Sequence, residues 1–227
     1  MVITKIVTHI MHVLQQLSLL IVPAVCAYCK IFLDKRNILC DECLYHIFPV
    51  VSKKVDVTSS FSMTVFAIAD YKDPLKKLIL AKGWSDNVAS YHLGHILWNT
   101  TPLSTIDYDF IVPIPLHWTR YAMRGFNQAH IIARVIHKKK QVPLVHLLKR
   151  VKKTAFQFAL VSSMRGNNVK NAFVLDCKDK DKEAYRDKHI LLIDDLMTTG
   201  STVREAAKVL LELKPRSITV AVVCRVL

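Results

Sequence analysis

The 227-residue sequence is poor in the two residues that most often interrupt regular structure, with only 5 glycines and 8 prolines. Hydrophobic residues make up 52% of the chain, which is enough apolar surface to offset the entropy cost of folding and excludes an intrinsically disordered chain. Six cysteines are too few for a small protein built on disulfides. The longest apolar run, residues 19–28, is about half of the ~20 residues that a membrane-spanning helix needs. We therefore expect a soluble globular protein with one large domain and one small one.

Acidic residues are absent from the whole stretch between Asp109 and Asp176. Over the entire chain, 32 lysines and arginines outnumber 18 aspartates and glutamates, which gives a formal net charge of +14. A folded segment with many cations and no anions of its own indicates an external polyanion, either nucleic acid or a phosphorylated small molecule. A solvated basic face that aids solubility is the alternative. The candidates for nucleic-acid contact are Arg120, Lys138, Lys139, Lys140, Lys149, Lys152 and Lys153.

Four of the cysteines form two C-x-x-C pairs that are separated by ten residues, Cys26 with Cys29 and Cys40 with Cys43. Each pair brings two thiolates to one side of a turn, and two such turns supply the tetrahedral sulfur shell that suits zinc. Because four sulfur ligands leave no coordination position open, this zinc would be structural rather than catalytic. Two disulfides or four unrelated thiols are the alternatives, and His46 could replace one ligand.

Residues 3–17 show a helical periodicity that collects the apolar side chains on one face. We expect an amphipathic helix that docks on a partner or on the rest of the chain, with a membrane-surface helix or a signal peptide as alternatives. The sequence thus predicts three parts: an amphipathic N-terminal helix at residues 1–25, a four-cysteine zinc-binding module at 26–58 and a larger domain at 59–227.

Segments typical of strands and of helices alternate along the larger domain. The predicted strands are 61–70, 110–113, 142–148, 189–193 and 217–223, and the predicted helices are 86–98, 126–137 and 201–213. Strands that alternate with helices are typical of a parallel sheet covered on both faces. The sequence therefore predicts an α/β fold.

The most informative stretch begins with the apolar run from His189 to Ile193, which delivers two adjacent acids, Asp194 and Asp195. Small hydroxylated residues and one glycine follow before the next predicted helix. The backbone N–H groups of such a turn and the dipole of the helix favour a phosphate group, whereas the two acids would repel it and suit sugar hydroxyls. The pattern indicates a sugar 5′-phosphate with free vicinal hydroxyls.

Residues 190–203 resemble the phosphoribosyl pyrophosphate (PRPP) binding motif of type I phosphoribosyltransferases, in which two acids precede Thr-Thr-Gly-x-Thr. Further stretches are similar to the ComF family of bacterial competence proteins, and the cysteine quartet followed by residues 71–83 fits the same family. These stretches are Val112-Pro-Ile-Pro-Leu116, Arg124-Gly-Phe-Asn-Gln128, Lys149-Arg150 with Thr154 and Gln157, and Arg165-Gly-Asn-Asn168.

This resemblance implies a type I phosphoribosyltransferase-like parallel sheet flanked by helices, with PRPP as ligand. Asp194 and Asp195 would hold the ribose hydroxyls, directly or through Mg²⁺. The cradle of the 5′-phosphate would consist of Thr198, Thr199, Gly200, Ser201 and Thr202. The residues implied at the pyrophosphate loop and at a mobile flap over PRPP are Pro113, Ile114, Pro115, Arg124, Arg150, Gln157 and Arg165.

The resemblance also implies a cytoplasmic competence factor that acts in DNA uptake by natural transformation and binds single-stranded DNA. One alternative is an active PRPP-dependent phosphoribosyltransferase whose acceptor the sequence does not identify. Another is an adaptor whose zinc module docks a helicase or a DNA-translocation protein. Trp118, which lies close to Arg120 and Tyr121 in the sequence, is interpreted as a packing residue, with a stacking platform for single-stranded bases as the alternative.

Overall fold

The computed structural model of the chain describes residues 24–35, 37–47, 50–76, 87–152 and 169–226. The chain divides into two compact units, residues 1–47 and 48–227. The predicted amphipathic helix at residues 3–17 lies outside the described residues, and so do Lys153, Gln157 and Arg165. No helix within those described ranges is long and apolar enough to cross a bilayer.

The first unit is small and is organised around the cysteines. Strand β1 (Ala24–Val25) pairs antiparallel with β2 (Phe32–Leu33), and a short helix, α1 (Asp41–Tyr45), follows. The backbone N–H of Cys26 donates to the carbonyl of Ile31 at 2.8 Å, which closes the first C-x-x-C turn. The predicted range of the zinc module, 26–58, extends past this unit and includes a strand of the second one.

The second unit is built on a five-stranded sheet with strand order β3-β4-β9-β8-β5. Strands β4, β9, β8 and β5 run parallel, and β3 adds an antiparallel edge. This arrangement confirms the predicted α/β fold with a mainly parallel sheet. The strands are β3 (Val50–Asp56), β4 (Ser62–Asp70), β5 (Phe110–Pro113), β8 (His189–Met197) and β9 (Ser217–Arg225).

Within the described part of the second unit, four α-helices accompany the sheet, and three of them correspond to predicted helices. They are α2 (Asn87–Thr100), α3 (Trp118–Arg124), α4 (Gln128–Lys140) and α5 (Ser201–Leu210). Helices α2 and α4 approach closely at Gly94, where an added Cβ would lie 2.9 Å from the Cβ of Val135. A glycine is needed there because any side chain would force the two helices apart.

The core lies on both faces of the sheet because alternate residues of a strand point to opposite sides. Leu192 and Val220 belong to a cluster with α5, including Ala206 and Leu210, and all four side chains are buried. Ile193, the next residue along β8, is also fully buried. Strand β8 is therefore covered on both sides, which agrees with its continuous apolar sequence.

One prediction about strands was wrong, and one strand was missed. Residues 142–148 do not form a strand of the sheet: only Leu144 makes a bridge with Ile111, and the next strand, β6 (Leu148–Arg150), pairs with β7 (Phe173–Leu175) in a separate antiparallel ribbon. Strand β3 was not predicted. It is an edge strand with two adjacent lysines and an irregular register between Val50 and Lys53, and both interrupt the apolar alternation by which a strand is recognised.

Candidate functional site

The predicted phosphate turn lies at the carboxyl end of the central strand β8. Asp194 and Asp195 belong to the strand itself, which continues to Met197, and helix α5 begins at Ser201. Gly200 adopts φ 76°, in the left-handed region, so that the chain reverses sharply before the helix. Gly200 has no side chain that could cap the first N–H groups of α5, and the N-terminus of a helix generally favours an anion.

The hydroxyl groups of the turn are close to one another. The Oγ1 of Thr199 lies 2.7 Å from the Oγ of Ser201, and the side chains of Thr198 and Ser201 are buried. Thr202 follows in the first turn of α5. The structure therefore brings together the five residues of the predicted 5′-phosphate cradle, in the segment between the two acids and the body of the helix.

The two acids differ in environment although they are adjacent. Asp194 is 9% exposed, and its Oδ1 accepts a hydrogen bond from the backbone N–H of Asp195 at 2.9 Å. Burial, together with the negative charge of Asp195, raises the pKa of Asp194 well above its usual range. Asp195 itself is half-buried. A hydroxyl donor or a cation at this site would favour the charged form of Asp194.

Two arginines from other elements act electrostatically on these acids. Burial lowers the pKa of Arg150 to about 10, the charge of Arg120 contributes to this decrease, and Asp194 and Asp195 act in the opposite direction. Burial also lowers the pKa of Arg120, again against the effect of Asp195. Arg150 was predicted at the flap, whereas Arg120 was assigned only to nucleic-acid contact, and no sequence signal related it to the acids.

The predicted pyrophosphate loop, Pro113 to Pro115, is attached to the strand that carries the acids. The backbone N–H of Ile114 donates to the carbonyl of Ile193 at 2.8 Å, directly before Asp194. On its other side, the carbonyl of Ile114 accepts from Nδ2 of Asn127 at 2.9 Å. The loop is thus held next to the acids by two hydrogen bonds, one to the backbone of Ile193 and one from the side chain of Asn127.

The segment from Arg124 to Gln128 forms the corner that supplies this side-chain bond. Gly125 ends helix α3 with φ 78°, and Oδ1 of Asn127 caps α4 by accepting from the N–H of Ala129. Arg124 donates to the buried Gln128 at 3.2 Å. Asn127 belongs to the stretch Arg124-Gly-Phe-Asn-Gln128 whose resemblance to the family places it near this loop, and its position before a helix is also a recognisable capping signal.

The predicted nucleic-acid residues fall into two groups. Lys149 and Lys152 are exposed and lie one and two positions from Arg150 in the sequence, and Arg120 lies on α3. Arg120 and Arg150 interact electrostatically with the acids. The second group is at the far end of α4, about 18 Å from its first residue by the helical rise. Its members are Lys138, Lys139 and Lys140, of which Lys140 donates to the carbonyl of Ser104 at 2.8 Å.

The four cysteines of the first unit form a single cluster. Their sulfur atoms all lie within 4.8 Å of one another, and the Sγ atoms of Cys29 and Cys40 are 3.6 Å apart. Zinc–sulfur bonds of about 2.3 Å in a tetrahedron separate the sulfurs by roughly 3.8 Å, so this donor set fits zinc. All six cysteines of the chain are free thiols, and the disulfide alternative is therefore wrong.

Backbone donors favour the thiolate of Cys26, whereas burial and the neighbouring sulfurs raise the pKa of Cys43. Burial opposes ionisation of Cys26, but hydrogen bonds from the backbone of Cys29, Cys40 and Tyr28 bring its pKa down to about 6. The N–H of Cys43 donates to Sγ of Cys40 at 3.4 Å. His46 instead lies 3.3 Å from Glu42 and is not part of the cluster. Cys26, Cys29, Cys40 and Cys43 would hold zinc as a structural ion that fixes this unit.

Replacing Cys43 with Ser should reduce zinc from about one equivalent per chain to well below half, because one thiolate of a four-sulfur shell is lost. Metal content of the purified protein, measured by inductively coupled plasma mass spectrometry, checks this. Cys177→Ser is the matched control, since Cys177 lies outside the cluster and should leave the zinc content unchanged. Full zinc occupancy in the Cys43→Ser variant would contradict the assignment.

Replacing Asp194 with Asn should stabilise the ligand-free protein at neutral pH. The pKa of this carboxyl is higher in the folded protein than in the unfolded chain, where it is about 3.9. The protonated carboxyl therefore contributes its full stability to the fold below about pH 3.9, and this contribution is lost as the pH rises through the pKa of the folded state. Asn keeps the Oδ1 acceptor for the Asp195 N–H but carries no charge.

Urea unfolding at pH 4 and pH 8, without phosphosugar or divalent cation, tests this expectation. The free energy of unfolding of the variant should be higher than that of the wild type at pH 8, and this difference should be smaller at pH 4. Asp107→Asn, at an exposed position, should show no such difference. An Asp194→Asn protein that is less stable than wild type at pH 8 would refute the charge argument.

Comparison with known proteins identifies the domain that carries this site. The family model for the phosphoribosyl transferase domain matches residues 121–227. Competence protein F of Haemophilus influenzae is 39% identical over 111 residues, which cover 48% of this chain and 47% of that protein. The aligned part is thus about half the length of that relative.

Two further relatives agree with this assignment. DNA utilization protein YhgH of Escherichia coli K12 is 34% identical over 173 residues, which cover 70% of this chain and 71% of that protein. Competence protein ComFC of Bacillus subtilis is 38% identical over 104 residues, 45% of this chain and 38% of that protein. The fold, the site and these relatives together assign the chain to the ComF family of phosphoribosyltransferase-like proteins.

Proposed function

We propose that this protein is a competence factor that handles single-stranded DNA in the cytoplasm during natural transformation and binds PRPP or a related phosphosugar. Relatives named for competence and for DNA utilization support the cellular role, and the phosphoribosyl transferase domain supports the ligand. The observation that carries the proposal is the turn from Asp194 to Thr202, where two acids, clustered hydroxyls and a helix N-terminus meet at one place.

Each part of the phosphosugar has a complementary part of the site. The 5′-phosphate would accept hydrogen bonds from the N–H groups at the start of α5 and from Thr199 and Ser201. The ribose hydroxyls would donate to Asp194 and Asp195. The pyrophosphate would lie towards the loop at Ile114, near the guanidinium groups of Arg120 and Arg150, which bind phosphate oxygens in pairs.

Magnesium fits this arrangement as a companion of PRPP. The chemistry of the donor set agrees with it, because carboxylates are hard oxygen ligands and the raised pKa of Asp194 reflects burial beside a second negative charge. Asp195, the more exposed acid, would share the ion with the ribose hydroxyls and pyrophosphate oxygens. When bound, Mg²⁺ supplies charge neutralisation of the pyrophosphate.

An adaptor role for the first unit is a second candidate function. Three large apolar side chains of this unit are strongly exposed: Ile31 at 58%, Phe32 at 72% and Tyr45 at 79%. Exposed apolar groups on a small unit are typical of a protein interaction site. We propose a helicase or a DNA-translocation protein as the partner, since either would deliver single-stranded DNA to this protein.

Calorimetric titration with PRPP and Mg²⁺ tests the ligand. Asp195→Asn should weaken PRPP binding by about tenfold or more, because a charged hydrogen bond to a ribose hydroxyl is lost. The exposed Asp107→Asn variant, which makes the same chemical change away from the turn, should bind like wild type. If wild type shows no heat with PRPP, or if Asp195→Asn binds equally well, the proposed ligand is wrong.

Fluorescence anisotropy with a single-stranded 30-mer at several salt concentrations tests the DNA interaction. Replacing Lys149 and Lys152 with Ala should weaken DNA binding. The slope of log affinity against log salt concentration should become shallower by about 0.7 for each phosphate that the variant no longer neutralises. Replacing Lys138 and Lys139 is the matched control with the same charge change at the far end of α4. Equal losses of affinity in both double variants would contradict a DNA path beside the acids.

A further inference from the structure

A cavity of about 1140 Å³ lies beside the candidate phosphosugar site. Most of its walls come from five elements: the loop after β5, helix α3, the first half of α4, strand β6 and the start of α2. Pro115 and Arg150 belong both to this lining and to the predicted phosphosugar site. The cavity therefore adjoins that site on its pyrophosphate side, and it is large enough for a second ligand of nucleotide size.

Aromatic side chains form one part of this cavity and are unusually exposed. Trp118 is 71% exposed, Tyr121 53% and Tyr91 46%. The interpretation of Trp118 as a packing residue is therefore wrong, because most of its ring faces solvent. Large rings that remain exposed around a cavity offer flat surfaces on which another planar ring can stack.

Cationic side chains form the other part. Arg134 contributes from α4, and Lys149 and Arg150 contribute from β6. The imidazole rings of His130 and His146 stack with centroids 5.0 Å apart and are inclined by 24°. Asp176 is the one acid among the described lining residues, so the cavity favours a ligand that carries negative charge.

These two parts point to one kind of ligand. A purely apolar molecule would not need a cationic wall, and a bare phosphate would not need exposed rings. We propose that this cavity binds a nucleotide unit, with its base stacked on Trp118 and Tyr121 and its phosphate against Arg134 and Lys149. The inference adds a base-stacking subsite to the proposed single-strand binding and rests on it. Two sources share this chemistry, a nucleotide within a DNA strand and a free mononucleotide.

Two oligonucleotides of equal charge separate base stacking from phosphate attraction. The probes are an oligothymidylate 30-mer and a 30-mer of abasic deoxyribose phosphate, both measured by fluorescence anisotropy at one salt concentration. Wild type should bind the thymidylate strand at least about fivefold more tightly than the abasic strand. Trp118→Ala should bring the two affinities close together by weakening binding of the thymidylate strand, while the affinity for the abasic strand stays unchanged.

Two variants keep the test specific. Trp118→Phe retains a ring and should keep most of the preference for the thymidylate strand over the abasic strand. Met123 lies on the same helix, is 83% exposed and does not line the cavity, so Met123→Ala should keep the wild-type preference. Thermal unfolding of each variant checks that it is folded. Equal affinity of wild type for both strands, or a ratio that survives Trp118→Ala, would overturn the inference.

Titration with thymidine 5′-monophosphate distinguishes the two sources. If the mononucleotide binds wild type, fails to bind Trp118→Ala and displaces the 30-mer, the ligand is a free nucleotide. If the mononucleotide does not bind and only the 30-mers show the preference for a strand with bases, the ligand is a nucleotide within a strand. If neither 30-mer binds even at low salt, the proposed DNA function fails. In that case the mononucleotide alone decides whether the subsite exists, and absence of mononucleotide binding refutes it.

Discussion

The placement of two adjacent carboxylates at the end of a buried strand is the constraint on which the rest of the site depends. Asp194 is buried and adjoins a second negative charge, which raises its pKa. Burying such a pair costs free energy unless other groups compensate it. Arg120 and Arg150 approach from two separate elements, and a ligand with hydroxyl donors would complete the compensation. A phosphorylated pentose combines those donors with an anion for the adjoining helix N-terminus.

Much of this arrangement could be predicted from the sequence because it is encoded locally. The apolar run that becomes β8, the acids after it and the small residues before α5 are contiguous, so their order alone indicates a phosphate turn. The cysteine spacing likewise predicted a cluster of four sulfurs, which the structure confirms. Helix α4 followed from the apolar residues on one of its sides, and α2 was also predicted.

The features that could not be predicted depend on contacts between distant segments. Arg120 is 75 positions from Asp195, and nothing in its local sequence relates the two. The aromatic and cationic cavity draws on residues from 87 to 176, each of which looks ordinary in its own segment. The acid-free stretch appeared as one basic region, yet the fold separates its lysines. Lys149 lines the cavity from β6, whereas Lys138, Lys139 and Lys140 lie in the last turn of α4, which points away from the first half that lines the cavity.

The central claim is that the turn after β8 binds a pentose phosphate through its backbone amides. A direct measurement is the change in amide ¹H–¹⁵N chemical shifts on titration with ribose 5-phosphate, compared with ribose alone. The account predicts the largest shifts at Gly200, Ser201 and Thr202 with ribose 5-phosphate, and much smaller shifts at these amides with ribose. Shifts confined to other parts of the chain, or equal effects of the two sugars at this turn, would contradict it.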